Sequence, residues 1–200
     1  MIKKNTIKRN FFADNYIKSW VYLKESKDFF YLIIGIFFFF VLFAFLLPPP
    51  KEISDLILNF LKELIEETKG MNAPELAQFI FVNNIQTSFL GMFFGILFGI
   101  YPVIVAVFNG YVVGFVSLIA VNEGGFSVLW QFLPHGIFEL PAVFISLGMG
   151  TKLGTFVFAK HKKRAFLNYF SNSIRVFLFV VLPLLIIAAI IESSFISYLG

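Results

Sequence analysis

Long apolar runs separated by short polar segments dominate the chain, and they predict membrane-spanning helices. The first run covers residues 29–47. At ~1.5 Å rise per residue a helix of this length reaches about 28 Å, enough to cross the hydrocarbon core of a bilayer. The prolines at 48–50 end that helix because proline lacks a backbone N–H and clashes with the preceding turn. No small-residue cleavage site follows, so we interpret 29–47 as an uncleaved first span.

Residues 51–70 show a different pattern, that of an amphipathic helix outside the membrane. Apolar residues recur at steps of three and four from Ile53 to Ile65, acidic residues occupy the other face, and Gly70 is suited to end the helix. Helices that lie on a membrane surface usually carry basic polar faces. Because this face is acidic, we expect a lid over the bundle or a contact with a partner.

Four further spans are predicted within residues 85–195. The apolar stretch 85–121 is too long for one span and fits two. We place the break at Tyr101–Pro102, since the residue before proline avoids helical dihedrals. Asn109–Gly110 is a competing position for the same break.

The remaining spans flank a basic segment. Residues 126–150 predict the fourth span, interrupted by Pro134 and Pro141, and residues 174–191 predict the fifth. Between them, residues 151–173 read as a basic loop. A half-helix beginning at Pro134 would suit a cavity, because broken helices at membrane depth leave backbone groups that need partners.

The placement of charge predicts the orientation of the chain. Basic residues concentrate in residues 1–28 and 151–173, whereas the segment that follows the first span is acidic. Basic clusters beside apolar spans are typical of cytoplasmic loops. With five spans both basic segments lie on one side, so we predict a multi-pass protein of the cell membrane with a cytoplasmic N-terminus and the C-terminus outside.

Composition supports this class and excludes others. Hydrophobic residues make 58% of the chain and charged residues 14%, against about 25% charged in soluble domains. A soluble enzyme is therefore excluded, and we predict an all-α bundle of about five transmembrane helices plus an extramembrane amphipathic helix, as one domain over residues 1–200. The net charge of +4 sits in predicted cytoplasmic segments, so we expect the bilayer and not nucleic acid as partner.

Regularly spaced glycines predict close helix packing. Gly91, Gly95 and Gly99 recur every fourth residue, and Gly110 and Gly114 repeat that spacing in the next span. Small residues at this interval form a groove in which another helix approaches closely. We interpret them as packing glycines, and the groove also motivates an expectation of self-association as a homodimer.

A polar stripe crosses the predicted fourth span. Glu139 is the one acidic residue predicted inside a span, and His135 and Gln131 precede it at intervals of four, on the same helical face. A carboxylate at the bilayer centre costs at least about 2.5 kcal/mol, so it must face the bundle interior or be neutral.

Asn83, Asn84 and Asn109 lie in neighbouring spans and are candidates to complete this polar intramembrane cluster. The cluster has three interpretations: interhelical hydrogen bonding, a path for an ion or small solute, or a metal site on His135 and Glu139. The metal interpretation lacks the second histidine of a His-Glu-x-x-His motif. With no catalytic triad, phosphate loop or dinucleotide fingerprint, we expect no catalytic residue, no enzyme activity and no cofactor.

These residues together resemble a known family. The asparagines at 83 and 84, the glycine series from Gly91 to Gly114, and the element Pro134-His135-Gly136-Ile137-Phe138-Glu139 are similar to the stage II sporulation protein M family over residues 75–195. The resemblance implies about five spans and a polar centre at His135 and Glu139. Relatives of this type occur outside spore-forming bacteria, including in archaea.

The resemblance also implies a function. The sporulation member acts as a scaffold in a membrane complex that positions peptidoglycan-degrading partners. We therefore predict a membrane scaffold that recruits partner proteins. The first alternative is a channel or transporter for an ion or small solute with its site at His135 and Glu139, and the second is an intramembrane metal-dependent hydrolase.

Overall fold

The structure, a computed structural model, describes residues 10–199, and of residues 131–135, 138 and 192–199 it describes the backbone alone. This part of the chain is helical and contains no β-strand. The α-helices are α1 Phe11–Glu25, α2 Lys27–Leu46, α3 Lys51–Thr68, α4 Ala73–Phe93, α5 Ile100–Gly124, α6 Leu133–Gly154, α7 Lys162–Val176 and α8 Leu182–Leu199. Short 3-10 segments, Phe94–Ile96, Phe126–Phe132 and Thr155–Phe158, and a π-helical segment, Phe177–Val181, join some of them.

Five helical segments of the described chain are long and apolar enough to cross a membrane, which confirms the predicted all-α membrane class. They are Lys27–Leu46, Ala73–Ile96, Ile100–Gly124, Glu139–Phe158 and Lys162–Ile191. The acidic amphipathic helix is present as α3, and Gly70 lies just beyond its end with φ +86.

The second span starts earlier than the apolar pattern predicted. We expected it from residue 85, but α4 begins at Ala73 because Asn72 and Glu75 form a capping box. The Asn72 side chain accepts from the Glu75 N–H at 3.0 Å, and the Glu75 carboxylate accepts from the Asn72 N–H at 2.9 Å. Two backbone N–H groups that have no partner within the helix are thereby hydrogen-bonded, which defines the start of α4.

The break between the second and third spans lies before Tyr101–Pro102, not at that dipeptide or at Asn109–Gly110. The chain turns at Phe98 and Gly99, which both adopt positive φ. Pro102 then sits in the first turn of α5, where its missing N–H costs nothing. The turn at Phe98 and Gly99, and not Pro102, therefore separates the second span from the third.

Most of the predicted basic loop 151–173 is helical. α6 continues to Gly154 and α7 starts at Lys162, so irregular backbone is confined to residues 159–161. α7 continues through the π-helical segment into α8. Pro183 accounts for that segment, because it cannot donate to the carbonyl of Phe179 one turn earlier.

α6 is the central helix of the bundle, in contact with α2, α4, α5 and α8. Ala142, Leu147, Met149 and Leu153 are almost fully buried along it. Its span is also the most buried of the five.

The packing glycines serve contacts within the chain. Gly91, Gly95 and Gly99 face α6, and a Cβ on Gly95 would overlap the backbone of Gly150. Gly110 and Gly114 of α5 face the backbone of α2 at Phe37 and Val41. The groove that motivated the homodimer is thus occupied by α6.

The α2–α5 contact yields a test. A Cβ at position 114 would overlap the carbonyl oxygen of Val41, whereas Gly35 on α2 has nothing within 4 Å of an added Cβ. We expect Gly114→Ala to lower the free energy of unfolding by about 1–3 kcal/mol, as overpacking does. Gly35→Ala is the matched control and should retain the parent stability. Thermal unfolding in detergent measures both, and equal stability of the two variants would contradict the close contact.

Candidate functional site

A cavity of about 290 Å³ lies among α2, α4, α5 and α6. Its wall combines apolar side chains with polar ones from three helices. The polar members are Asn83, Asn84 and Thr87 of α4, Asn109 and Ser117 of α5, and Glu139 of α6.

The cavity lies near the middle of the spans. Phe37, Asn83 and Val112, which line it, are each at or near the midpoint of their helix. Intramembrane polar groups that face a cavity commonly mark binding sites or pathways.

The structure brings four of the predicted cluster residues together around this cavity: Asn83, Asn84, Asn109 and Glu139. The side chains of His135 and Gln131, the other two predicted members, lie outside the described residues. Their backbone belongs to the start of α6 and to the 3-10 segment before it. Gly136, one turn before Leu140, also lines the cavity.

The amide side chains do not close the cavity by bonding to one another. Asn109 donates its Nδ2 hydrogen to the carbonyl of Val105 on its own helix, at 2.8 Å. Among the hydrogen bonds of the described residues, none joins Asn83, Asn84 and Asn109 to each other. Their remaining polar atoms are therefore available to a solute.

Two lining residues, Thr87 and Ser117, escaped the sequence prediction. Thr87 follows Asn83 by one turn on α4, and Ser117 follows Asn109 by two turns on α5. The sequence feature that could have identified Thr87 and Ser117 is their helical spacing from Asn83 and Asn109. Hydroxyl groups are common in apolar spans, so that signal stands out only once the asparagines are known to face inward.

A second, wider cavity of about 850 Å³ adjoins the first and shares Asn83, Asn109 and Val112 with it. α3 forms one wall through Phe60, Leu61 and Leu64, so this helix lies over the side of α4 and α5. Polar residues line the path from the start of α4 to mid-span: Glu75, Gln78, Asn83 and Gln86. From Glu75 to Asn83 the path covers about 12 Å at ~1.5 Å per residue.

The charge along these cavities has one sign. Glu67 and Glu75 line the wide cavity and Glu139 the inner one, and no Lys or Arg is found among the described lining residues of either. Such an arrangement attracts cations. Within the described residues no group of three or more His, Asp or Glu is placed to hold a metal ion.

A second polar centre, missed by the sequence prediction, lies at the other end of α6. Lys152 was assigned to the basic loop but is buried in α6. Its Nζ donates to the Ser26 Oγ at 2.8 Å and lies 3.9 Å from the centroid of the Tyr22 ring. The Ser26 hydroxyl in turn donates to the carbonyl of Tyr22 at 2.6 Å. This centre joins the α1–α2 junction to α6.

Electrostatics at this junction favour a neutral Tyr22 hydroxyl beside Lys152. Burial raises the pKa of the Tyr22 hydroxyl far above its ordinary value, because an apolar surrounding disfavours the phenolate. The ring therefore stays a neutral π-surface against which the Lys152 Nζ packs.

Comparison with known proteins identifies a family and an uncharacterized relative. The family described as stage II sporulation protein M matches residues 29–197. An uncharacterized protein of Methanocaldococcus jannaschii is 38% identical over 76 residues, which are 37% of this chain and 43% of that relative. The matched stretch is thus less than half of the relative. No solved structure matches the chain.

Proposed function

The chain belongs to the stage II sporulation protein M family, and we propose that it binds a small cation between its helices and lets it pass through the membrane. The observation that carries the proposal is the pair of adjoining cavities that extends from the start of α4 to the carboxylate of Glu139. The function consists of binding and passage, with no covalent step and no catalytic residue.

The open cavity favours passage over a purely structural cluster. Interhelical hydrogen bonds stabilise helix association in membranes by about 0.6–2 kcal/mol each. In a purely structural cluster the amide side chains would therefore form hydrogen bonds with one another. Here Asn109 bonds within its own helix, and Asn83 and Asn84 border open space instead of each other. The arrangement resembles a site that exchanges partners.

The lining favours a cation over an anion or an apolar solute. Amide and hydroxyl oxygens from Asn84, Thr87 and Ser117 can replace part of a hydration shell, and Glu139 offers an anionic ligand. Glu67 and Glu75 give the wider cavity the same sign, so an entering cation meets attraction along its route.

The first test is a flux measurement on purified protein in vesicles. Glu139→Gln removes the charge and keeps the size of the side chain. We expect it to reduce cation flux at least about tenfold, since one charge in a site of low dielectric is worth more than 1.4 kcal/mol. Flux of Na⁺, K⁺, H⁺ and choline into liposomes provides the measurement.

Glu63→Gln is the matched control, because Glu63 is exposed on α3 and lines neither cavity. It should conduct like the parent. Elution as a single sharp species in detergent verifies that both variants are folded. Parent flux no greater than that of protein-free vesicles for every cation tried would refute the proposal.

We further propose that the basic end of the bundle is cytoplasmic. Lys160, Lys162, Lys163 and Arg164 are exposed together around the start of α7, and α3 with its acidic face lies beyond the opposite end of α2. Positive residues are retained on the cytoplasmic side. The N-terminus is then cytoplasmic and the C-terminus outside.

Cysteine labelling tests this orientation, because the natural chain contains no cysteine. In intact cells a membrane-impermeant maleimide should label Glu63→Cys, and it should label Lys163→Cys only after the membrane is opened. The cysteine-free parent sets the background. The reverse labelling pattern would overturn the orientation.

A second candidate function, recruitment of partner proteins, has its own support in α3. Ile57 is buried against the bundle, whereas Leu56 is 70% and Ile65 64% exposed beside an acidic face. An exposed surface that combines apolar and acidic residues suits a protein partner with basic and apolar groups. A scaffold built on this surface requires no homodimer.

Photo-crosslinking in cells tests the scaffold. A crosslinking residue introduced at Leu56 or at Ile65 should capture one and the same protein. The same probe at Ile104, which is exposed near the start of α5, should not capture it. Combined Glu63→Gln and Glu66→Gln substitutions should abolish the adduct. Capture equal from all three sites, or unaffected by charge removal, would contradict recruitment by α3.

A further inference from the structure

The contacts of α1 show the direction in which this helix runs. The Phe12 ring lies 6.3 Å from the Phe179 ring, and Arg175 Nε donates to the Asn15 Oδ1 at 3.1 Å. As the residue number rises in α1, the number of its partner falls, so α1 is antiparallel to α7 and to the π-helical segment. The start of α1 therefore lies beside the membrane-spanning part of that long helix.

α2 runs the opposite way. Ser26 contacts Lys152, and further along, the Phe37 ring lies 5.0 Å from the ring of Phe144, so α2 is antiparallel to α6. α4 is parallel to α6, as the contacts of its glycines show, and antiparallel to the helix that contains Phe170 and Phe177. α1 and α2 consequently run in opposite senses along the bundle and meet at the bend at Ser26.

The antiparallel packing carries the start of α1 along the membrane-spanning part of its partner helix. From Arg175 to Phe179 the partner helix rises by roughly 6 Å. Phe12, at the start of α1, is thus deeper than Asn15 by about that distance. Amphipathic helices embedded in a membrane surface reach depths of about 5–10 Å.

The free surface of α1 is that of a helix in contact with lipid. Phe12, Tyr16 and Trp20 form a stripe at four-residue spacing and are 69%, 57% and 54% exposed. Phe11 and Ile17 are also more than half exposed. Large aromatic side chains with polar edges are enriched where hydrocarbon meets headgroups.

A polar cleft of about 340 Å³ lies between α1 and α7, beside this aromatic surface. Its two cationic residues are Lys18 and Arg175, and Asn168 and Asn172 add amide groups. The Arg175 guanidinium is held in place by Asn15 and Asn172. Glu25 also lines the cleft, but it lies close enough to Lys152 for the two charges to attract each other.

We propose that α1 is embedded in the leaflet at the basic end of the bundle and that the α1–α7 cleft binds the headgroup phosphate of an anionic phospholipid. Lys18 and Arg175 contact the phosphate, and the acyl chains lie along the aromatic stripe. Basic recesses between helices recognise anionic headgroups in this way. The site is separate from the cavities around Glu139, and its test does not depend on flux.

The headgroup is tested by lipid titration of the full-length protein in detergent, followed by native mass spectrometry. We expect short-chain phosphatidylglycerol to bind at least about tenfold more tightly than phosphatidylcholine. Lys18→Gln should weaken phosphatidylglycerol binding about fivefold, the effect of one basic residue near an anionic lipid. Arg175→Gln should do likewise but also loses its bonds to Asn15 and Asn172, so Lys18→Gln is the decisive variant.

Lys24→Gln is the matched control, because it removes the same charge from the same helix outside the cleft. It should bind phosphatidylglycerol like the parent. Glycerol phosphate tests whether the cleft binds a soluble phosphate compound instead of a lipid. If glycerol phosphate binds as tightly as phosphatidylglycerol, the lipid assignment is overturned. Equal binding of both lipids, or equal losses in Lys18→Gln and Lys24→Gln, would also overturn it.

The depth of α1 is tested by fluorescence. Trp20 and Trp130 are the two tryptophans of the chain, so Trp130→Phe leaves Trp20 as a single reporter. In vesicles, lipids brominated near the glycerol backbone should quench it. Moving the reporter with Trp20→Phe and Phe12→Trp should shift the strongest quenching to bromines deeper in the acyl chain. Quenching by aqueous iodide with none by brominated lipid would show that α1 projects into water.

Discussion

The contact between the backbones of α6 and the α4–α5 junction is the constraint on which the bundle depends. Side chains are absent from both surfaces at the crossing, where Gly95 meets Gly150 and Gly99 meets Gly154. In a bilayer, lipid tails compete with every apolar side chain, so helices associate through close packing and not through expulsion of water. A methyl group at this crossing would push the central helix away from α4, and with it every contact that α6 makes on its other faces.

Two polar centres depend on the position of α6. Glu139 lies toward one end of its span and Lys152 toward the other, about 20 Å apart at ~1.5 Å rise per residue. Glu139 faces the amides of α4 and α5, while Lys152 anchors the junction of α1 and α2 through Ser26 and Tyr22. Because both side chains extend from one helix, the glycine crossing that holds α6 in place also sets the geometry of the cavity and of the α1–α2 junction.

Sequence patterns predicted the features that arise from composition over many residues. Apolar runs predicted the spans, period 3.6 predicted α3, and the rarity of polar residues in spans singled out Glu139, Asn84 and Asn109. Features that depend on a contact with one particular residue, distant in the sequence, were not predicted. Lys152 follows an apolar run by two residues and looked like a loop residue, since hydropathy cannot show that Ser26 and Tyr22 lie opposite. α1 has no apolar run of spanning length, so its antiparallel packing on the membrane-spanning helix became visible only through its contacts with Phe179 and Arg175.

The helices differ in how much surface they bury against the rest of the bundle, and this difference indicates which of them can move to open the cavity. Movement of α6 would separate the backbone contacts at Gly95 and Gly99, so the inner wall that carries Glu139 is fixed. α3 buries Ile57 but leaves Leu56 and Ile65 exposed, and it covers the wider cavity through Phe60 and Leu64. Displacing α3 therefore costs far less buried surface than displacing any helix packed on α6. In the proposed function, exchange between the Glu139 cavity and the aqueous phase then depends on α3, and a partner bound to its acidic face would control access to the same cavity.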